Sequence, residues 1–148
     1  MCQCACELGA IYAEAGQYAA QQAADYGRCL GIAFQIVDDL LDIEGDAGRT
    51  GKTLGTDLAQ RKPTLPIIHA LKAAPESARA EILAALESDQ TEVAQIHAWL
   101  EEFGSLDYAR QTAIRYVEEA LQAIAEWPEG EATETLRQLA GFVLKRCY

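Results

Sequence analysis

This sequence is poor in the residues that build sheets, cages and membrane spans. Aromatic residues make up only 7%, and there are four prolines, two histidines and one methionine in 148 residues. Few aromatics and much alanine leave little to sustain strands and favour helices. Basic residues are also scarce: 12 Lys and Arg stand against 23 Asp and Glu, for a formal net charge of -11. A chain so acidic lacks the basic surface that non-specific nucleic-acid binding needs, and gains nothing from an anionic membrane. No apolar run reaches the roughly 18 residues of a spanning helix. The opening stretch, Met1-Cys2-Gln3-Cys4-Ala5-Cys6-Glu7, has neither the basic nor the long apolar region of a signal peptide. The chain therefore reads as cytoplasmic.

Cysteine is present but poorly arranged for metal. Cys2, Cys4 and Cys6 are spaced by two, which on a helix turns successive thiols about 200° apart. There is no CxxC pair, and His69 and His97 stand apart. The thiols read as small buried or half-exposed side chains, and the histidines as structural or solvent-facing.

What is plentiful is helical periodicity. A short helix is expected from residue 3 to about 15. A long one follows from about Tyr18 to Ile43, with Tyr26, Leu30, Ala33, Phe34, Val37, Leu40 and Leu41 spaced by three or four. Gly27 and Gly31 fall inside it, four apart, where they weaken the helix unless another helix or a ligand must come close. The stretch from Glu44 to Arg61 carries Gly45, Gly48, Gly51 and Gly55 and reads as a loop. Helices are expected near Leu65 to Ala73, from Pro75-Glu76 to about Glu87, over 92 to 103, from 106 to about 126 with Ser105 as N-cap, and from about Thr133 to Arg146. Without strand-like alternation, a linker or a repeat, residues 1–148 read as a single all-α unit.

The chemistry concentrates at the end of the long helix. In Phe34-Gln35-Ile36-Val37-Asp38-Asp39-Leu40-Leu41-Asp42, Asp38 and Asp42 project only about 40° apart. Asp39 flanks them, and Gln35 sits one turn earlier. Carboxylates so grouped suit a hard cation such as Mg²⁺, which prefers to bridge acids to a substrate's phosphates. They also sit badly with the negative end of the helix dipole, so a stabilising role explains them poorly. Lys52 follows in a glycine-flanked loop and Lys62 just before Pro63; lysine binds phosphate as a point charge. Asp57 could hold a lysine in place or join the metal's outer shell. Acids that hold metal, then lysines that hold phosphate, suit a diphosphate chelated through magnesium.

These residues carry a resemblance. FQIVDDLLD, followed by GKTLGTDL and RKPTLPII, resembles the second aspartate-rich region of trans-type polyprenyl diphosphate synthases. Cys6-Glu7-Leu8-Gly9-Ala10, Gly104-Ser105-Leu106-Asp107-Tyr108-Ala109 and Leu139-Ala140-Gly141-Phe142-Val143-Leu144-Lys145-Arg146 look like flanking and closing helices of the same family. The resemblance spans essentially the whole chain.

It implies the C-terminal part of the all-α isoprenoid synthase helical bundle, and a Mg²⁺-dependent condensation of isopentenyl diphosphate with an allylic diphosphate. Departure of diphosphate leaves an allylic cation, which the double bond of isopentenyl diphosphate attacks before a proton is lost. On this resemblance Asp38, Asp39 and Asp42 would ligate or orient Mg²⁺, Lys52 and Lys62 would grip the allylic diphosphate, and Gln35 would sit beside the reacting centre with Asp38. The family's first aspartate-rich motif, its upstream basic residues and its tunnel positions have no counterpart in these residues, and Arg61 replaces a customary glycine. The expectation is a half that is inactive alone and that either forms a homodimer or associates with the N-terminal half. The alternative is a non-catalytic partner subunit derived from the same fold.

Overall fold

The computed structural model describes residues 1–44, 62–88 and 93–146. Among these the secondary structure is helical, without strands: α1 (Cys2–Tyr12), α2 (Gly16–Glu44), α3 (Leu65–Ala73), α4 (Glu76–Glu87), α5 (Val93–Glu102), α6 (Ser105–Ala123) and α7 (Glu131–Lys145). The all-α expectation is met. The stripe expected on α2 is largely real, since Tyr26, Leu30, Ala33, Val37 and Leu40 are all buried, although Phe34 is exposed and Leu41 only half-buried. Contacts divide the chain into two compact units, Met1–Val37 with Thr112–Tyr148, and Asp38–Gln111.

In the first unit, α1 lies against α2 through the two glycines. A Cβ on Gly27 would come within 2.6 Å of the Cys2 carbonyl oxygen, and one on Gly31 within 3.3 Å of the Cys2 Cβ. The glycines thus serve helix packing. Tyr26 donates its hydroxyl to the Leu136 carbonyl at 2.8 Å, tying α2 to α7. Trp127 donates its indole N–H to Gln22 Oε1 at 3.0 Å, and Arg146 stacks its guanidinium 4.7 Å from the Phe34 ring centre.

The first helix ends earlier than its pattern suggests. Glu14 takes a left-handed φ of 54°, and Ala15 N–H reaches back to the Ala10 carbonyl while Glu14 N–H bonds that of Ile11. This is a Schellman terminus with glutamate where glycine is usual. A side chain in that conformation costs roughly 1 kcal/mol. Glu14→Gly is therefore expected to stabilise the protein by about 1 kcal/mol in urea unfolding; an unchanged or lower midpoint would contradict the assignment.

Tyr26 makes the stability depend on pH. Burial, and then the neighbouring Cys6, push its phenol up to about 12. The unfolded phenol titrates near 10. A raised folded value favours the neutral form, so the contribution is complete below about pH 10 and is lost as pH rises towards about 12. The loss should be about 2 kcal/mol. Urea midpoints across that window should fall in the native protein and much less in Tyr26→Phe. Parallel curves would show that the phenol does not contribute.

In the second unit α3, α4 and α5 pack on one another. Ile67, Ala70, Ile82, Ile96, Leu100, Leu106 and Ala109 are buried there together with Leu40 and Ile43 of α2. Arg79 donates to the Leu71 and Ala74 carbonyls at 2.7 and 3.2 Å, closing the end of α3. Ser105 is not the cap that was expected. It already belongs to α6, behind Gly104 at a left-handed φ of 62°. Its fully buried hydroxyl lies 3.0 Å from His69 Nδ1, and the His69 ring stacks on Tyr108 at 4.1 Å. His69 is thus structural, as expected.

Candidate functional site

The last two turns of α2 have two sides. Leu40 and Ile43 are buried, whereas Asp38, Asp39 and Asp42 are partly exposed and Gln35, one turn earlier, is exposed. Helical rotation explains the division: Leu40 points roughly 160° away from both Asp38 and Asp42, while Gln35 and the three acids share an arc of about 100°. Burial of one side fixes the helix, and its rigidity aims the acids to the other.

Lys62 is exposed directly before Pro63, and Thr64 follows at the entrance to α3. Lys52, Asp57 and Arg61 lie outside the described residues. Among the described residues, no three His, Cys, Asp or Glu side chains converge into a ready-made metal cage. Three hard oxygen donors on one helix face nonetheless fit Mg²⁺, which keeps several waters and takes one or two carboxylates together with phosphate oxygens.

The electrostatic surroundings of the acids were not legible in the sequence. The last turn of α2 ends in Asp42 and Glu44 and has no basic residue, so its carbonyl end meets only negative side chains of its own. Arg110 of α6 comes to it from 66 positions away. Its Nη2 donates to Glu44 Oε1, and its Nη1 donates to Asp107 Oδ1 at 2.7 Å. Burial by itself would ease the guanidinium's proton loss, but Glu44 and Asp107 outweigh it and raise its proton affinity. The acid-only ending of α2 was the available signal that a cation must arrive from elsewhere.

Among the described residues the thiols offer no competing site. Cys2 and Cys4 are exposed, Cys6 half-buried and Cys29 buried, all as free thiols. Burial is the main cause raising both Cys6 and Cys29 above the usual thiol range, which disfavours the reactive thiolate. A groove of the first unit, lined by Glu7, Ile11, Glu14, Gln17, Ala20 and Gln21 among others, includes none of Asp38, Asp39 and Asp42.

Comparison with known proteins decides the family. The family pattern described as polyprenyl synthetase matches residues 1–103. The chain belongs to the polyprenyl synthetase family. It is 40% identical over 138 residues to an octaprenyl diphosphate synthase of Haemophilus influenzae, covering 90% of this chain and 42% of that relative. It is 34% identical over 144 residues to component 2 of a heptaprenyl diphosphate synthase of Geobacillus stearothermophilus, covering 97% and 44%. The solved structure of a decaprenyl diphosphate synthase from Rhodobacter capsulatus superposes with a TM-score of 0.89 at 35% identity, covering 99% of this chain and 46% of that one. This polyprenyl synthetase chain thus spans less than half the length of the relatives it matches. Its acidic turns fall within the matched residues.

Proposed function

We propose that this chain provides the second aspartate-rich side of a trans-prenyl diphosphate synthase, which condenses isopentenyl diphosphate with an allylic diphosphate. The observation that carries the reading is the fan of Asp38, Asp39 and Asp42 on the outward side of a helix whose inward side, at Leu40 and Ile43, is locked into a core. Asp38, Asp39 and Asp42 would hold Mg²⁺. Bound there, the ion would neutralise the charge that builds on a departing diphosphate. Lys62 and Lys52 would bind the allylic diphosphate as point charges, Asp57 would steady a lysine or join the metal's outer shell, and Gln35 would sit with Asp38 beside the cation or diphosphate.

The chain acts within a larger assembly, as a homodimer or joined to the family's other half. Both of its compact units are taken as parts of that one synthase domain. The net charge of -11 argues against nucleic-acid partners. No helix among the described residues is long and apolar enough to cross a membrane, which supports a cytoplasmic setting. A second reading, a non-catalytic partner subunit, is favoured by one observation: a relative covering 97% of this chain is a numbered synthase component.

Calorimetry with inorganic pyrophosphate, with and without Mg²⁺, tests the site. Binding should require Mg²⁺, and Asp38→Ala should weaken it at least about tenfold, the value of one charged contact. Equal affinity in the variant would remove Asp38 from the site.

A further inference from the structure

We propose that Arg110 is a positioning residue for the acid-bearing end of α2, acting through Glu44. The inference rests on the reading of Asp38, Asp39 and Asp42 as Mg²⁺ ligands.

The end of α2 is electrostatically adverse. Helix carbonyls near a C-terminus carry partial negative charge and are normally met by Lys, Arg or His. Here the last turn brings carboxylates and no base. Asp42 belongs to that turn, and its place one turn above Asp38 exists only while the turn remains wound. Fraying would release Asp42 first, because helix ends open before interiors.

Arg110 answers this in trans. It reaches Glu44, the final residue of α2, and simultaneously Asp107, in the first turn of its own helix. Asp107 thereby orients the guanidinium, and Glu44 receives it. The Arg110 and Glu44 side chains are each 28% exposed, whereas Asp107 is 83% exposed, so solvent screens the Glu44 arm of the clamp less than the Asp107 arm. Arginine suits the task because its planar fork can serve two carboxylates at once; lysine's single ammonium cannot reproduce that geometry. Ala109, next to it on α6, is fully buried, which anchors the helix that carries the clamp. The result is a cation fixed to the core of the second unit and fastened to the end of the metal-bearing helix.

The test uses the whole 148-residue chain, with Mg²⁺ titrated against fixed inorganic pyrophosphate and amide exchange followed without metal. Arg110→Ala should raise the Mg²⁺ concentration for half-saturation about fivefold. It should also speed exchange of the Asp42, Ile43 and Glu44 amides about tenfold. Glu44→Gln should do the same, the double variant should be no worse than either single one, and Arg110→Lys should recover only part of the loss. Arg137→Ala, which breaks the Arg137–Glu129 pair of the first unit, should change neither reading.

A simple field effect has the opposite sign, since removing a positive charge would lower the Mg²⁺ requirement. A lower requirement, an unchanged one in folded Arg110→Ala, or additive effects in the double variant would each overturn the inference. In those cases a weakened Asp38→Ala would leave the metal reading standing. Absence of Mg²⁺-dependent pyrophosphate binding in the native chain would overturn both.

Discussion

Given an allylic primer, isopentenyl diphosphate and Mg²⁺, the 148-residue chain alone is expected to elongate at least about a hundredfold more slowly than a synthase with two aspartate-rich motifs. The sequence holds one such motif, Asp38 to Asp42. Stabilising a departing diphosphate demands charges held on more than one side of it, already in place before the bond breaks. Acids on a single helix face can hold a cation but leave the remaining coordination to water, and a misplaced group costs orders of magnitude in rate. Labelled isopentenyl diphosphate makes the measurement direct. Robust elongation by the purified chain would contradict the account, whereas restoration on adding a chain that bears the complementary motif would support it.

The second large effect lies beneath the acids. Leu40→Ala should destabilise the protein by about 3 kcal/mol, the usual cost of removing a fully buried leucine and leaving a cavity. Leu40 is 1% exposed, and it sits between Asp39 and Leu41 on the helix whose other side carries the proposed ligands. Its loss therefore reaches the site as well as the core: a turn with less to hold it samples more rotations, and the carboxylates spread with it. Leu40→Met, which nearly conserves volume, should cost less than about 1.5 kcal/mol. Urea unfolding of both variants supplies the comparison. A Leu40→Ala change within about 1 kcal/mol of the native protein would mean that this part of α2 is not anchored as described.

Much of the architecture was legible because its causes are local. The three- and four-residue spacing of Tyr26, Leu30, Ala33, Val37 and Leu40 depends only on helical rotation, and α2 buries those positions. Pro66 and the Pro75-Glu76 step marked helix entrances that occur where expected, at Leu65 and Glu76. The clustering of Asp38, Asp39 and Asp42 on one arc follows from the same rotation.

The misreadings share a cause of the opposite kind. Apolar periodicity carried α1 to about residue 15, but Glu14 turned left-handed and ended it at Tyr12. Ser105 has an N-cap's composition, yet it is the first residue inside α6, one place past the cap, and its hydroxyl meets His69 across 36 residues of chain. Gly27 and Gly31 announced a close approach without naming what approaches, and the answer was the backbone and side chain of Cys2.

The sequence by itself determined that this chain is helical, which face of α2 is apolar, and that its acids share one arc, because each follows from rotation between near neighbours. Only the tertiary structure decided that Arg110 meets Glu44, that α1 seats on Gly27, and that His69 partners Ser105. Those pairings join residues far apart in the chain. Their energies depend on how helices pack and which polar groups lose water together, and no local spacing encodes that.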